Sequence, residues 1–255
     1  IPHSWVSRIN SFSALFVPCK QNQQMMIDSG VKVPVELIHW GIDESKWYPL
    51  ERVNSNVFTF GHMGALSIRK GTDILIEAFT KAFPIWQFKD VQLLCKTSSN
   101  VYPFLTKDPR IKVQMTAIDH QDLINQFFKK IDVSIMPTRG EGFGLPSLEA
   151  MATGIPVIVT GWSGPMEYMN ENVGWTIDYD MEEAKDFSEK VYKENCGLWA
   201  CPKIDDLVDK MRYVYYHREE VKKKGEIAAE YVRSHWLWSQ KISMFHQALE
   251  KHLGW

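Results

Sequence analysis

The chain has 255 residues, of which 45% are hydrophobic and 24% are charged, which is ordinary for a globular protein. A net charge of −2 and a pI near 6.5 exclude the strongly basic field that a broad nucleic-acid surface requires. No apolar run approaches the roughly 18 residues of a membrane span, so we expect no such span.

The first 50 residues have the pattern of a helix, a strand, a second helix and a second strand. We predict the strands at 13–18 and 35–38, and between them a short helix over Lys20–Asp28. The polar residues 51–56 are a candidate linker.

From residue 57 to about residue 179, short apolar runs alternate with helical periodicity, which is typical of a doubly wound parallel sheet. The predicted strands are 57–60, 91–95, 111–115, 131–136, 156–160 and 174–177. The clearest helix is Thr72–Phe83. Such sheets bind ligands at the carboxyl ends of their strands. Four residues are predicted at such ends, namely Gly61, Lys96, Glu141 and Ser163.

Beyond Asp178 the spacing of apolar residues predicts helices only. They are Met181–Glu194, Ile204–Tyr216, Glu219–His235 and a last amphipathic helix that begins near Trp236, with a break at 197–202.

The stretch from Gly140 to Met151 is the strongest candidate for a ligand site. It follows a predicted strand and opens a helix, in whose first turn the fixed φ of Pro146 fits well. Gly142 and Gly144 let the backbone approach a ligand closely, and the helix start offers unpaired N–H groups and a partial positive charge. This pattern predicts a site for an oxygen-rich ligand.

Two carboxylates flank this loop, Glu141 just before the glycines and Glu149 about one turn into the helix. A carboxylate accepts hydrogen bonds through two oxygens, which match a pair of neighbouring hydroxyls on a sugar or a ribose. A phosphate on the same ligand would need cations, and Arg69 and Lys70 at another strand-to-helix turn can supply them. The alternative is that both glutamates are solvated helix-start residues and that Arg69 and Lys70 are a solvated pair.

The residues from Glu141 to Glu149, with 150–158 and 164–168 after them, resemble the donor-site signature of the family 4 retaining glycosyltransferases (glycosyl transferases group 1). The resemblance covers about residues 13–235. It implies the GT-B architecture, an α/β fold whose carboxy-terminal domain has a Rossmann-like doubly wound parallel sheet with added carboxy-terminal helices.

The resemblance also implies a division of the chain. Residues 1–50 would be the tail of an amino-terminal acceptor domain together with a linker. Residues 51–235 would be the donor-binding domain for the nucleotide sugar, and residues 236–255 a helix that crosses back to the first domain. The chain would then begin late, and we expect it to bind a nucleotide sugar but to transfer the sugar very slowly, because GT-B catalysis takes place between two domains.

In the resembled family the first glutamate and the amides of the glycine loop hold the donor sugar, and the second glutamate holds the ribose. The matching positions here are Glu141, Gly142, Phe143, Gly144, Leu145 and Glu149.

The family grips the diphosphate with a Gly-Arg-Leu turn and a Lys-Gly pair a few residues later. Here Gly64 and Leu66 enclose Ala65 at the position of the arginine, and Lys70 matches the lysine. Arg69 is the candidate to replace the lost charge. Lys70 and Glu141 are therefore the catalytic candidates that the resemblance implies.

The implied activity is transfer of a hexose from a GDP- or UDP-sugar to an acceptor hydroxyl with retention of configuration. The resemblance implies no cofactor and no metal, since cations and helix-terminus amides can meet the leaving diphosphate. The expected partners are the nucleotide sugar and the amino-terminal acceptor domain, with no nucleic acid. We expect a cytoplasmic protein, or one that is peripheral at a membrane through that domain, because the four cysteines lack paired spacing and suggest a reduced compartment.

The alternative to an enzyme is a non-catalytic nucleotide-sugar binding or assembly subunit, which Ala65 and the missing first domain favour.

Two further side chains near the loop, His62 and Arg139, each have more than one possible role. His62 could hydrogen-bond a phosphate or a sugar, although a lone histidine at a strand end is more often structural. Arg139 could pair with Glu141 and hold its carboxylate in position.

Overall fold

The computed structural model describes residues 1–53, 55–98, 106–115 and 119–254. The strands are β1 Leu15–Val17, β2 Val35–Leu37, β3 Phe58–Met63, β4 Val91–Lys96, β5 Ile111–Gln114, β6 Val133–Met136, β7 Val157–Thr160, β8 Gly174–Ile177, β9 Tyr179–Glu183 and β10 Leu198–Pro202. The helices are α1 His3–Ile9, α2 Lys20–Asp28, α3 Thr72–Ala82, α4 His120–Gln126, α5 Leu145–Ala152, α6 Lys185–Tyr192, α7 Ile204–Tyr216, α8 Arg218–His235 and α9 Trp238–Leu253.

Six parallel strands form the central sheet in the order β5-β4-β3-β6-β7-β8. The chain winds outward from β3 through β4 to β5, then returns to β6 and winds outward in the other direction. The predicted α/β fold with a doubly wound parallel sheet is therefore confirmed. In such sheets the ligand crevice lies at the carboxyl ends of the strands where the winding reverses, which here means between β3 and β6.

Apolar layers cover both faces of the sheet, as a parallel sheet requires. On one face, α3 and α7 pack against side chains such as Phe60 and Leu93, both of which are fully buried. On the other face, α4, α5 and α8 pack against side chains such as Ile131 and Val157. Within the described helices, none combines the length and the apolar character needed to cross a membrane.

Several elements lie where the sequence places them, among them α2 and α7, whose bounds agree with the prediction. Gly61 is an exception, because it lies inside β3 and not at its carboxyl end. An added Cβ at Gly61 would lie 2.4 Å from the Cδ1 atom of Ile131, so this glycine makes room for a core side chain.

The predicted helix over Met181–Glu194 is wrong in its first part. Residues 179–183 form β9, which pairs antiparallel with β10, and the helix begins only at residue 185. The predicted break at 197–202 likewise contains β10. A strand whose partner lies some twenty residues away is held by pairing, and local apolar spacing does not record that pairing. The Ala200 amide also donates to the carbonyl oxygen of Arg139 at 3.0 Å.

The first 50 residues pack against the last helix. β1 and β2 form a separate two-stranded parallel sheet, and the rings of Phe16 and Phe245 meet at 5.5 Å between centroids. Glu36 in β2 accepts from Lys251 at 2.7 Å in α9. The backbone of Ile42 pairs with that of Leu237. The domain boundaries at residues 50 and 235 stay predictions, and residue 54 of the predicted linker lies outside the described residues.

Candidate functional site

The turn before α3 and the loop after β6 are locked together. Gly71 has a φ of 69°, and an added Cβ there would lie 1.8 Å from the carbonyl oxygen of Pro137, so only glycine fits. The Arg69 carbonyl oxygen accepts from the Arg139 amide at 2.8 Å and from the Thr138 hydroxyl at 3.0 Å. The two segments therefore meet at the point where the winding of the sheet reverses.

This contact brings the candidate cations and the first candidate carboxylate together. The Lys70 ammonium donates to Oε2 of Glu141, and the Arg69 guanidinium lies 3.9 Å from the same oxygen. Arg69 also donates to the Gly140 carbonyl oxygen at 2.7 Å. Gly64 lies beside the Lys70 side chain, whose Cε would be 3.7 Å from an added Cβ. The structure thus assembles Gly64, Arg69, Lys70 and Glu141 into one cluster.

The backbone of Glu141 is held by the turn after β7. Its carbonyl oxygen accepts from the Ser163 hydroxyl and, at 3.2 Å, from the Gly164 amide. Ser163 has a φ of 71° and a ψ of −153°, a combination that is uncommon for residues other than glycine and that occurs often at functional sites. The sequence placed Ser163 at a strand end but gave no sign that it supports Glu141.

The glycine loop has an exposed side and a buried side. Gly142 is exposed, and its carbonyl oxygen accepts from the Asn22 side-chain amide at 3.2 Å. The Phe143 ring is buried between Trp236 and Tyr168, so only the backbone of Phe143 is available to a ligand. The contact from Asn22 was missed because 120 positions separate it from the loop.

Gly144 and Leu145 form the start of α5. Gly144 caps the helix with a φ of 86°, and its carbonyl oxygen accepts from the Tyr168 hydroxyl at 2.8 Å. An added Cβ at Gly144 would lie 2.7 Å from that hydroxyl oxygen. The first amides of α5 are therefore held next to the Lys70–Glu141 cluster, in the geometry that suits anionic or oxygen-rich ligands.

Glu149 lies in α5 with a carboxylate that has no hydrogen-bond partner among the described residues. Burial raises the pKa of Glu149 from 4.5 to about 7. A partly buried carboxyl group without donors disfavours its charged form, and such groups are typical of binding and catalytic sites. The geometry leaves Glu149 able to accept hydrogen bonds from a ligand.

Arg139 does not pair with Glu141, so that hypothesis is wrong. Its guanidinium donates to the two carboxylate oxygens of Asp73 at 2.9 and 2.8 Å and to the carbonyl oxygen of Ile68 at 2.6 Å. The Trp199 ring of β10 lies over the same guanidinium, with its centroid 5.6 Å away. Arg139 therefore contacts the turn before α3 through Ile68, the first turn of α3 through Asp73, and β10 through Trp199. It links these elements and does not contact Glu141.

Two further polar side chains lie buried at the strand ends. His62 is fully buried at the end of β3, and its Nδ1 lies 2.9 Å from the carbonyl oxygen of Ile135. Lys96 ends β4 opposite Met63. In the part of the chain that the structure describes, no three His, Cys, Asp or Glu side chains are grouped to hold a metal ion.

Comparison with known proteins agrees with this geometry. The family model "Glycosyl transferases group 1" matches residues 57–193, which is more than half of the chain. The capsular polysaccharide biosynthesis glycosyltransferase CapM of Staphylococcus aureus is 27% identical over 187 residues, covering 68% of this chain and 46% of CapM. The O-antigen biosynthesis glycosyltransferase WclY of Escherichia coli is 35% identical over 100 residues, covering 39% of this chain and 28% of WclY.

Solved structures share the fold. Sucrose-phosphate synthase from Thermosynechococcus elongatus aligns with a TM-score of 0.76 at 18% identity, covering 98% of this chain and 61% of that one. Anabaena Alr3699/HepE, solved in complex with UDP and glucose, aligns with a TM-score of 0.71 at 17% identity, covering 96% of this chain and 64% of that one.

The fold is that of the GT-B glycosyltransferases. The chain spans 46% of CapM and 57% of a second relative, the Methanocaldococcus jannaschii glycosyltransferase MJ1178. Because the matched model extends from β3 through the glycine loop to the end of the sheet, this chain belongs to the glycosyl transferases group 1 family.

Proposed function

We propose that the chain is the donor-binding part of a retaining glycosyltransferase that transfers a hexose from a nucleoside diphosphate sugar to an acceptor hydroxyl. The observation that carries this proposal is the Lys70–Glu141 pair at the reversal point of the sheet. A cation and a carboxylate placed side by side can bind the two ends of a sugar diphosphate, because phosphate needs positive charge and sugar hydroxyls need acceptors.

Lys70 and Arg69 are the proposed partners of the diphosphate. The ammonium of Lys70 is held by Glu141, whose side chain is only 13% exposed. A bound diphosphate would take over this ammonium and leave the Glu141 carboxylate free to accept from sugar hydroxyls. Lys70 then stabilises the negative charge that grows on the leaving diphosphate, with the loop and helix-start amides beside it, so that no metal is required.

The remaining donor contacts lie on the glycine loop and α5. The backbone of Gly142, Phe143, Gly144 and Leu145 is proposed to border the sugar and the phosphates. Glu149 is proposed to accept from the two ribose hydroxyls, since its carboxylate has no other donor among the described residues. The solved HepE complex with UDP and glucose supports a UDP-sugar as donor, and GDP-hexoses are the second candidate.

The relatives suggest a product class. CapM and WclY are named for capsule and O-antigen biosynthesis, so we propose a role in the synthesis of a glycan. The four cysteines are free thiols, which suits a reducing compartment and the proposed cytoplasmic location.

The first 50 residues are proposed to belong to an acceptor domain. Their two strands are parallel, and parallel sheets are ordinarily larger and covered on both faces.

The second candidate function is a non-catalytic nucleotide-sugar binding or assembly subunit, favoured by Ala65 at the usual arginine position. Arg69 weakens that candidate, because its guanidinium lies 3.9 Å from the Glu141 carboxylate and supplies a second cation to the cluster.

Calorimetry against UDP- and GDP-linked hexoses tests the donor role. We expect one sugar nucleotide to bind more tightly than its parent diphosphate, and we expect Glu149→Ala to weaken both. If no member of the panel bound, the proposal would be overturned. A transfer assay with an acceptor mixture, with the anomeric configuration of the product read by NMR, separates a retaining enzyme from a binding subunit.

A further inference from the structure

His62 lies on β3, at the first position after the last backbone pair between β3 and β6. β3 and β6 pair through Phe60 with Val133 and through Gly61 with Ser134. At the next position of β3, Nδ1 of the His62 imidazole lies 2.9 Å from the carbonyl oxygen of Ile135 in β6. A carbonyl oxygen only accepts, so Nδ1 must carry the proton and donate.

The other ring nitrogen of His62 is then an acceptor. Burial lowers the pKa of His62 from 6.5 to about 4, so the ring is neutral and Nε2 carries a lone pair. This Nε2 is buried and has no hydrogen-bond partner among the described residues. In this neutral tautomer Nε2 and a phosphate oxygen are both acceptors, so they form no hydrogen bond with each other.

A nearby protein group with spare N–H donors is therefore the natural partner for Nε2. His62 shares a face of β3 with Phe58 and Phe60, because side chains alternate along a strand, and this face is covered by α3. Lys70 lies two residues before α3, is buried, and is close enough to His62 for its charge to lower the pKa of the imidazole. Its ammonium has three N–H groups, and Glu141 accepts only one of them here.

We propose that His62 is a positioning residue for Lys70: Nε2 accepts a hydrogen bond from the Lys70 ammonium when a bound diphosphate draws that ammonium away from Glu141. This inference rests on the proposed function. The hydrogen bond gives the buried lone pair of Nε2 a donor in the ligand-bound state. His62 and the diphosphate then hold the Lys70 ammonium together. A neutral acceptor suits this place, since it orients the cation without competing with the ligand for its charge.

The variant His62→Asn tests this, because the asparagine amide can replace Nδ1 as donor to Ile135 but offers nothing at the place of Nε2. Affinity for UDP and GDP is measured by calorimetry for the wild type, His62→Asn, Lys70→Ala and the double variant. We expect His62→Asn alone to weaken the bound diphosphate about tenfold, the size of one hydrogen bond to a charged group. In the Lys70→Ala background the same change should alter affinity by less than about twofold.

A second measurement on the wild-type protein does not depend on how the variant folds. Two-bond ¹⁵N–¹H correlation spectra report the tautomer of His62 and hydrogen bonding at Nε2. We expect the Nδ1–H tautomer throughout, and an Nε2 resonance that moves toward the hydrogen-bonded range when UDP or GDP is added. A resonance that does not move would overturn the inference.

The outcomes separate this inference from the proposed function. If Lys70→Ala weakens binding while His62→Asn costs the same in both backgrounds, His62 acts independently of Lys70 and only this inference is overturned. If the wild type binds neither UDP nor GDP and none of their hexose conjugates, the proposed function is overturned and the inference with it. A loss of affinity in His62→Asn that is matched by a loss of thermal stability, with no coupling to Lys70, would mean a purely structural histidine.

Discussion

The Lys70 ammonium donates to the Glu141 carboxylate although 71 positions separate the two residues in the chain. Lys70 belongs to the turn after β3 and Glu141 to the loop after β6, so the pair spans the point where the sheet reverses its winding. The two side chains are only 10% and 13% exposed, so salt screens this pair less than it would a surface pair. A diphosphate that enters the crevice must compete with Glu141 for the same ammonium.

Lys70→Ala should weaken binding of a nucleoside diphosphate by about 1.5–3 kcal/mol, the cost of losing a hydrogen bond from a charged group. The loss should be larger at low salt than at high salt, because part of it is Coulombic. The measurement is calorimetry at two ionic strengths. Lys81→Ala is the control, since Lys81 lies at the far end of α3 in an exposed pair with Glu77. A loss on Arg69→Ala without one on Lys70→Ala would show that the alignment of this turn is wrong by one residue.

Glu141→Gln should not weaken binding of the nucleoside diphosphate, which gains by the loss of a competitor for Lys70, and should reduce the additional affinity that the attached sugar contributes. The amide no longer holds Lys70 by charge, so the diphosphate loses no partner, whereas the sugar hydroxyls lose a charged acceptor. Paired titrations with the diphosphate and its hexose conjugate measure the difference. Equal losses for both ligands would mean that Glu141 only supports the loop.

Glu149→Ala should weaken all nucleoside diphosphates by about 1.5–3 kcal/mol, because the ribose hydroxyls lose a charged acceptor. The pKa of the Glu149 carboxyl group, about 7, predicts a second measurable effect, the release of a proton on binding. If the ribose hydroxyls donate to the ionised carboxylate, ligand binding near pH 6.5 releases a proton from Glu149. Calorimetry in buffers of different ionisation enthalpy detects that proton, and the signal should vanish in Glu149→Ala. Unchanged affinity in this variant would remove the ribose role.

Glu149 should also make stability depend on pH. Burial raises its pKa from 4.5 to about 7, so between these values the folded chain keeps a proton that the unfolded chain has lost. Stability from this group is therefore fully present below pH 4.5 and is lost as the pH rises to about 7. Relative to the wild type, Glu149→Gln should gain roughly 3 kcal/mol between the low and the high end of this window. Urea unfolding at several pH values measures it, with Glu250→Gln at an exposed position of α9 as the matched control.

Arg139→Met should destabilise the fold by about 3 kcal/mol, because it leaves Asp73 without its partner and the carbonyl of Ile68 without its donor. Arg233→Met is the matched control. Its pair with Glu230 is exposed on both sides, so its removal should cost at most about 1 kcal/mol. Urea unfolding of the two variants tests the contrast, and similar losses would contradict the structural role of Arg139.

Much of the fold could be predicted because the signals are local. A strand, two glycines and a proline at a helix start identify the loop from Gly140 to Met151 from a dozen adjacent residues. Alternating apolar runs likewise identify the doubly wound sheet. The β9–β10 pair was missed for the opposite reason, since β9 is a strand only while Trp199 and its neighbours lie beside it.

The sequence by itself determined the chemistry of the site: which cations, carboxylates and glycines are available, and at which strand-to-helix turns they lie. Only the tertiary structure decided how they are paired, since Lys70 faces Glu141 while Arg139 turns to Asp73. The tertiary structure also decided the charge states of Glu149 and His62, because the pKa values of both side chains depend on burial. Desolvation and hydrogen bonding act over a few ångströms in space, and residues that lie that close in the fold can be 71 positions apart in the chain.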